Sequence, residues 1–427
     1  MNHFFKNIRL INPEEKINSI VNLWVKDGNI KHCSPEDATI DSDTEVIEAI
    51  DLVAAPGFFD MHVHLREPGF EQKETIKTGC EAAANGGFTE ICCMPNTEPA
   101  IDNASVIEFI KNKSKGFLTD VHVAAAITQG RQGKQLAPIK ELTEYGAVFF
   151  TDDGSCVTDS TTMKLAFDYT SIDNLLISQH CEDHSLTKNF AMNESKVSFK
   201  LGLKGYPTVA EEIILNRDIM LAEYCGNHRY HASHISTKGS VDLLRNAKER
   251  GLNVSCEVTP HHFSLTEDSL ITYDTNLKMN PPLRSKEDVV ALIEGIKDGT
   301  IDCIASDHAP HTLNEKEVEF ERAPNGIIGL ETSLAIALTY LYNEGHIGLE
   351  LLIELMSINP RKILNLPKVN VKVGEKANLT IFNPIEEWIF EKSNIKSKSK
   401  NSPYIGYKFK GKPKFAINNN MIFKSVL

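Results

Sequence analysis

From residue 54 to about residue 365 the chain repeats one pattern, a short apolar run followed by an amphipathic stretch. The runs are Phe88 to Met94, Val121 to Ile127, Ala147 to Phe150, Leu175 to Gln179, Tyr230 to His234, Val254 to Val258 and Cys303 to Ser306, and Phe58 to His64 makes eight. Helical patterns such as Glu74 to Asn85 and Ala210 to Tyr224 lie between them. Strand–helix alternation means parallel strands with helical crossovers. Eight units predict an α/β fold, a closed (β/α)8 TIM-type barrel. An open doubly wound sheet is the alternative, but no G-x-G-x-x-G follows the first strand to support it.

The two ends have a different texture. Ile20 to Val25 and Glu45 to Ile50 read as short strands, with a turn at Lys26-Asp27-Gly28-Asn29. After residue 365, Leu379 to Phe382 and Lys408 to Val426 again read as strands, with turns at Gly411-Lys412 and Asn418-Asn419-Asn420. The economical division places residues 54–365 in the barrel, and pairs 1–53 with 366–427 in a small β-sandwich domain. Ile395 to Asn401, rich in Lys and Ser, reads as a solvated loop.

Composition removes several function classes. With 45 Lys+Arg against 58 Asp+Glu the net charge is −13, which opposes nucleic acid and anionic membranes as partners. No apolar run is long enough for a spanning helix, and the start lacks a signal peptide's apolar stretch. Nine scattered cysteines with no C-x-x-C pair read as reduced thiols of a cytoplasmic protein.

His62-Val63-His64 carries the chemistry. Residues i and i+2 on a strand face the same way, so both imidazoles suit one metal ion. Polar residues also end the later runs: Asp152 and Asp153, His180, His234 and Asp307. In a barrel all strand C-termini meet at one rim, where active sites form. Each residue alone could be a satisfied helix cap, but the set in register points to convergence. Nitrogen and oxygen donors without thiolates suit Zn²⁺ or a similar divalent ion.

These residues also resemble a family. Asp60-Met61-His62-Val63-His64-Leu65-Arg66-Glu67-Pro68-Gly69 resembles the metal signature of amidohydrolases, specifically of dihydroorotases of the bacterial class I type. Met94-Pro95-Asn96-Thr97, Phe150-Thr151-Asp152-Asp153-Gly154, His180-Cys181-Glu182-Asp183, His234-Ile235-Ser236-Thr237, Asn280-Pro281-Pro282-Leu283-Arg284 and Ser306-Asp307-His308-Ala309-Pro310-His311 follow in the family's order. The resemblance runs over nearly the whole chain.

It implies metal ligation by His62, His64, His180, His234 and Asp307, with Asp307 also the general base and acid. Arg66, Asn96 and His311 are implied to hold the substrate's carboxylate. Asn280 is implied as a further substrate contact, His64 as one beside its metal role, and Asn325-Gly326 as backbone over the ring. Many relatives in the wider superfamily place a carboxylated lysine on strand four. Ala147 to Gly154 contains no lysine, so Asp153 is the expected substitute and Asp152, its neighbour, should point away.

The implied activity is reversible cyclisation of N-carbamoyl-L-aspartate to L-dihydroorotate, with Zn²⁺, one or two per chain. A homodimer is implied, and aspartate transcarbamoylase is raised as an associated protein. The rival readings are a hydantoinase or allantoinase, and a catalytically silent structural partner; every ligand position is filled, which weighs against the latter. Thr312 to Ala323, charged and directly after His311, reads as a surface loop or as a lid closing over substrate, and its position after the last catalytic strand favours the lid. His261-His262 reads as structural support, and His231 as facing away from His234.

Overall fold

The computed structural model describes all 427 residues, Met1–Leu427. Eight parallel strands follow in chain order around one sheet: Phe58–Val63, Phe88–Cys93, Asp120–Ala125, Ala147–Phe150, Ile177–Gln179, Tyr230–Ala232, Val254–Val258 and Cys303–Ile304. Their near-continuous apolar runs are what a parallel sheet requires when helices cover its outer face. The first two strands are buried at every residue. A bridge between Val63 and His308 closes the ring, reinforced by the His64 amide donating to the His308 carbonyl at 2.9 Å. The barrel expected from the alternation is therefore the observed architecture.

The helices start on the caps their sequences supply. Thr75 caps Ile76–Asn85, Asn103 caps Ala104–Lys113, Asp159 caps Ser160–Ser171 and Thr237 caps Lys238–Glu249, each accepting a backbone amide of the first turn. Three strand C-termini fall two residues short of expectation, the third strand stopping at Ala125 rather than Ile127. The sixth stops at Ala232 rather than His234, and the eighth at Ile304 rather than Ser306. His234 and Asp307 take positive φ, 27° and 47°, which extended backbone does not allow. The chain leaves the ladder there and turns both side chains into the barrel mouth.

The chain ends form one mixed sheet. Its strands are Asn2–Asn12, Ile17–Lys26, Asn29–Ser34, Glu45–Glu48, Val53–Pro56, Leu379–Ile389, Lys408–Asn418 and Met421–Lys424. Val53–Pro56 joins the two ends, pairing parallel with the first strand and antiparallel with Leu379–Ile389. Phe5, Ile8, Leu23, Leu379, Ile381 and Ile417, drawn from both ends, share one apolar cluster. Two tight turns sit where read: Asp27-Gly28 and Asn419-Asn420 all have positive φ, as a two-residue hairpin of the primed type needs. The turn expected at Gly411-Lys412 is instead part of the continuous strand Lys408–Asn418, in which Gly411 alone takes positive φ.

The Ile395 to Asn401 stretch contradicts its reading as a solvated loop. Ile395, Ser397, Ser399 and Asn401 are all buried, because each polar group meets a partner on the barrel. Ser397 Oγ donates to Glu74 Oε2, Ser399 Oγ to the Lys73 carbonyl at 2.6 Å, and the amides of Lys396 and Ser397 to Glu331 at 2.7 and 3.2 Å. Hydrophilic composition marks polar groups but not whether water or protein satisfies them. This segment is a strap lying across the barrel rim.

Candidate metal centre and substrate pocket

Six side chains from five barrel strands converge at the C-terminal mouth. His62 and His64 leave strand one on the same face, Asp153 follows strand four, His180 strand five, His234 strand six and Asp307 strand eight; all six are buried. His62, His64 and Asp153 form one group of donors within 4.8 Å of one another, and Asp153, His180 and His234 a second. Asp153 belongs to both, the position where a bridging ligand would stand. Its Oδ1 lies 3.3 Å from His62 Nε2 and 3.6 Å from His234 Nε2, and Oδ2 lies 3.6 Å from His64 Nε2. Asp307 Oδ1 stands 2.9 Å from His64 Nε2 and 3.6 Å from His62 Nε2.

The residues fit a divalent cation. His62 Nε2, Asp153 Oδ1 and His234 Nδ1 are buried with no hydrogen-bond partner, a costly state for protein polar atoms. Three of the four histidines also have one ring nitrogen committed elsewhere, which leaves the other for an ion. His62 Nδ1 meets Glu257 Oε1 at 2.5 Å, His64 Nδ1 meets Asn96 Oδ1 at 2.8 Å, and His180 Nε2 meets Glu182 Oε2 at 2.8 Å.

Charge is arranged to keep the carboxylates ionised. Burial alone would raise the pKa of Asp153, but the adjacent imidazoles of His62, His234 and His64 hold it well below the usual carboxylate range. Burial likewise opposes the charge on Asp307, and His64, His62 and His234 overcome it. Asp152 points away as expected, accepting from the Thr128 amide at 3.0 Å.

Above this floor is a cavity of about 280 Å³. Every residue expected at the site lines it except His62, which lies beneath. Arg66 sits in it at φ 62°, a conformation uncommon for a side-chain-bearing residue and typical of functional sites. Its Nε donates to the Pro310 carbonyl at 3.2 Å. Burial lowers its pKa to about 10, so it remains a cation at neutral pH. Asn280 Nδ2 donates to Glu182 Oε2 at 2.8 Å, while its Oδ1 is buried without a partner. His311 Nε2 faces the Asn325 carbonyl at 2.9 Å; burial, then Arg66 and Lys73, lower its pKa to about 2. At Gly326, φ 120°, an added Cβ would fall 2.6 Å from Ala309 Cβ, so only glycine lets this loop lie so close.

The 312–323 segment is pinned to its neighbours. It opens on the helix Leu313–Lys316, and buried Lys316 donates from Nζ to the carbonyls of Thr275 and Pro324 at 3.0 and 2.8 Å. His262 supports the Asn280 loop, with Nε2 3.0 Å from the Pro281 carbonyl. His261 is buried beside it.

Three residues escaped the sequence reading. Glu257 lies under the centre with Oε1 on His62 and Oε2 3.4 Å from His231 Nε2. His231 thus points into the barrel and supports the site, against the expectation that it faces away; strand six ends at Ala232, so alternation does not continue to His234. Asp60 accepts the Ser306 amide with both oxygens at 3.1 Å, tying strand eight to strand one. A lone carboxylate inside the apolar run Val254–Val258 was the available signal for Glu257. Burial opposes the charge of Glu257, but His62 and His231 lower its pKa to about 2. Glu257→Gln is expected to weaken metal affinity by about 10–100-fold, the usual cost of losing a ligand's orienting partner. Titration of the metal-depleted protein with a divalent ion measures this.

Comparison with known proteins agrees with the geometry. A family model described as dihydro-orotase-like matches residues 52–240. The dihydroorotase of Syntrophus aciditrophicus is 46% identical over 415 residues, 96% of each chain. That of Geotalea daltonii is 46% identical over 418 residues, 98% of each. Among solved structures, L-hydantoinase (dihydropyrimidinase) from Arthrobacter aurescens superposes with a TM-score of 0.87 at 25% identity, covering 99% of this chain and 96% of that one. Dihydropyrimidinase from Brevibacillus agri shares the fold with a TM-score of 0.85 at 20% identity, covering 100% of this chain and 95% of that one. With near-complete coverage by dihydroorotases, a barrel that closes on itself and histidine and aspartate donors at its mouth, the chain belongs to the dihydroorotase family, metal-dependent cyclic amide hydrolases of the amidohydrolase superfamily.

Proposed function

We propose that this pocket interconverts L-dihydroorotate and N-carbamoyl-L-aspartate, a step of pyrimidine synthesis, with each residue in the role its position suits. The observation that carries the assignment is Arg66, a half-buried guanidinium in the same cavity as the ligand set. Its planar fork suits a carboxylate, which dihydroorotate bears and simple hydantoins and allantoin do not. Asn96 offers its Nδ2 beside it, since its Oδ1 is committed to His64. His311 completes this clamp. The unpartnered Asn280 Oδ1 is an acceptor for a ring N–H, and Asn325-Gly326 covers the ring.

His62, His64, Asp153, His180, His234 and Asp307 would hold the metal, for which we propose Zn²⁺, one or two per chain. Such an ion, when bound, lowers the pKa of water from about 16 toward 7 and polarises a carbonyl. In the hydrolytic direction the carboxylate of Asp307 takes the proton of the attacking water. It returns that proton to the ring nitrogen as the C–N bond breaks. Arg66, Asn96 and His311 hold the ring so that the amide carbonyl faces Asp307.

The same reading assigns residues 312–323 a closing role over bound substrate. It also places the chain in the cytoplasm as a homodimer, with aspartate transcarbamoylase as a further associated protein. The division at residues 53/54 and 365/366 stands as a proposal with it. Free thiols at all nine cysteines suit a reducing compartment, and no helix is long and apolar enough to cross a membrane.

Carbamoyl aspartate carries one more ionised carboxylate than dihydroorotate, so ring closure consumes a proton. The equilibrium ratio of ring to open form should rise about tenfold for each pH unit of acidification above the carboxylate pKa values. Assays of dihydroorotate, hydantoin and allantoin at several pH values, with metal counted per chain, test the assignment. A pH-independent product ratio, or turnover of hydantoin or allantoin without dihydroorotate, would overturn it.

A further inference from the structure

The strap crosses the rim at the point where one arm of the carboxylate clamp meets the loop proposed to cover the ring. The arm is His311, after strand eight; the loop is Asn325-Gly326. Asn401, at the end of the strap, touches both. Its Oδ1 accepts the His311 amide at 3.1 Å. Its Nδ2 donates to the carbonyls of Ala309 and Gly326, both at 3.1 Å. Its own carbonyl accepts the Ile328 amide at 3.0 Å. The side chain is buried, and an amide is the one uncharged group that can accept on one side and donate twice on the other.

The strap itself is held from the opposite side. Ser399 Oγ donates to the carbonyl of Lys73, whose ammonium lies 3.4 Å from His311 Nδ1. His311 is therefore braced at its backbone by Asn401 and at its ring by the residue that anchors the strap. No other contact in the chain joins His311, Ala309 and Gly326 through one side chain.

We infer that Asn401 is a positioning residue for substrate carboxylate recognition: it fixes the spacing between His311 and the Asn325-Gly326 loop, so that a segment contributed by the C-terminal part of the chain sets the barrel's affinity for its anionic substrate. This rests on the clamp reading given above. Asn401 touches no ligand of the metal centre, so its loss acts on binding. An interaction made equally in ground and transition state alters KM and leaves kcat in place.

Asn401→Ala and Asn401→Asp test this in the metal-loaded enzyme. Alanine removes all three side-chain hydrogen bonds; aspartate keeps the acceptor and loses both donors. Each is expected to raise KM for dihydroorotate about tenfold, the scale of one or two lost hydrogen bonds, with kcat within about twofold and metal content unchanged. Unchanged KM, or kcat falling in step with metal content, overturns the proposal. Arg66→Lys, run in parallel, separates the two readings. If it leaves KM unchanged, the clamp itself fails; if it raises KM while the Asn401 variants do not, only the positioning role fails. Hydrogen exchange on the unmodified enzyme gives a readout independent of variant folding. Saturating dihydroorotate should slow exchange across residues 395–402 together with the His311 amide, and a strap indifferent to substrate would refute the coupling.

Discussion

Replacing Asp307 with asparagine is expected to lower kcat for dihydroorotate by about 10²–10⁴-fold, the range a positioned general acid–base supplies. The substitution isolates the chemistry from the fold. Asparagine matches the side chain in volume, and it is among the few residues that tolerate the positive φ of 47° found here. What it removes is the ionisable oxygen beside His64 Nε2. Asp307 is kept ionised by His64, His62 and His234 against the cost of burial. It is thus a base that holds its proton only in passing, as transfer from water to the ring nitrogen requires. The measurement is kcat with metal counted per chain, because Asp307 is also a proposed ligand. Turnover within tenfold of the parent at full metal content would remove Asp307 from the proton path.

The parts of this site that were legible in the sequence obey short-range rules. His62 and His64 lie two residues apart on a strand, so one face follows from the pleat. His180, His234, Asp153 and Asp307 lie just past apolar runs, and the barrel's geometry gathers such ends. The barrel itself was legible because parallel strands are apolar throughout and leave a strong alternating signal. The supporting groups were not. Glu257 and His231 sit within strands where inward and outward positions are both buried, so polarity alone gives no direction. Asn401 lies 90 residues beyond His311, in a stretch whose composition imitates solvent-exposed chain. Its partners are mostly backbone carbonyls and amides, which no side-chain pattern records. Strand ends were misplaced at His234 and Asp307 for a related reason: the positive φ that aims both side chains also ends the ladder, and neither is a glycine that would announce it.

Arg66 provides the second large effect. The chain carries a net charge of −13 and its substrate is an anion, so capture works against the field of the whole protein and depends on local cations. Arg66→Met removes the guanidinium from the cavity and leaves the substrate's carboxylate desolvated without a partner. Truncating one side of a buried charge pair costs about 2–5 kcal/mol, so kcat/KM should fall by about 10²-fold or more. Because the carboxylate is remote from the breaking C–N bond, most of the loss should fall on KM. Arg66→Lys should recover only part of it, since an ammonium keeps the charge but cannot offer the paired donors of the fork. A ligand-free readout separates binding from collapse of the pocket: Arg66 is not among the metal donors, so metal content should be unchanged in both variants. A fall in kcat with KM unaltered would place Arg66 in the chemistry instead of the clamp. Equal activity of the Met and Lys variants would show that neither charge nor geometry at this position recognises the substrate, and the preference for a carboxylate-bearing ring would then need another source among His311, Asn96 and the backbone of Gly326.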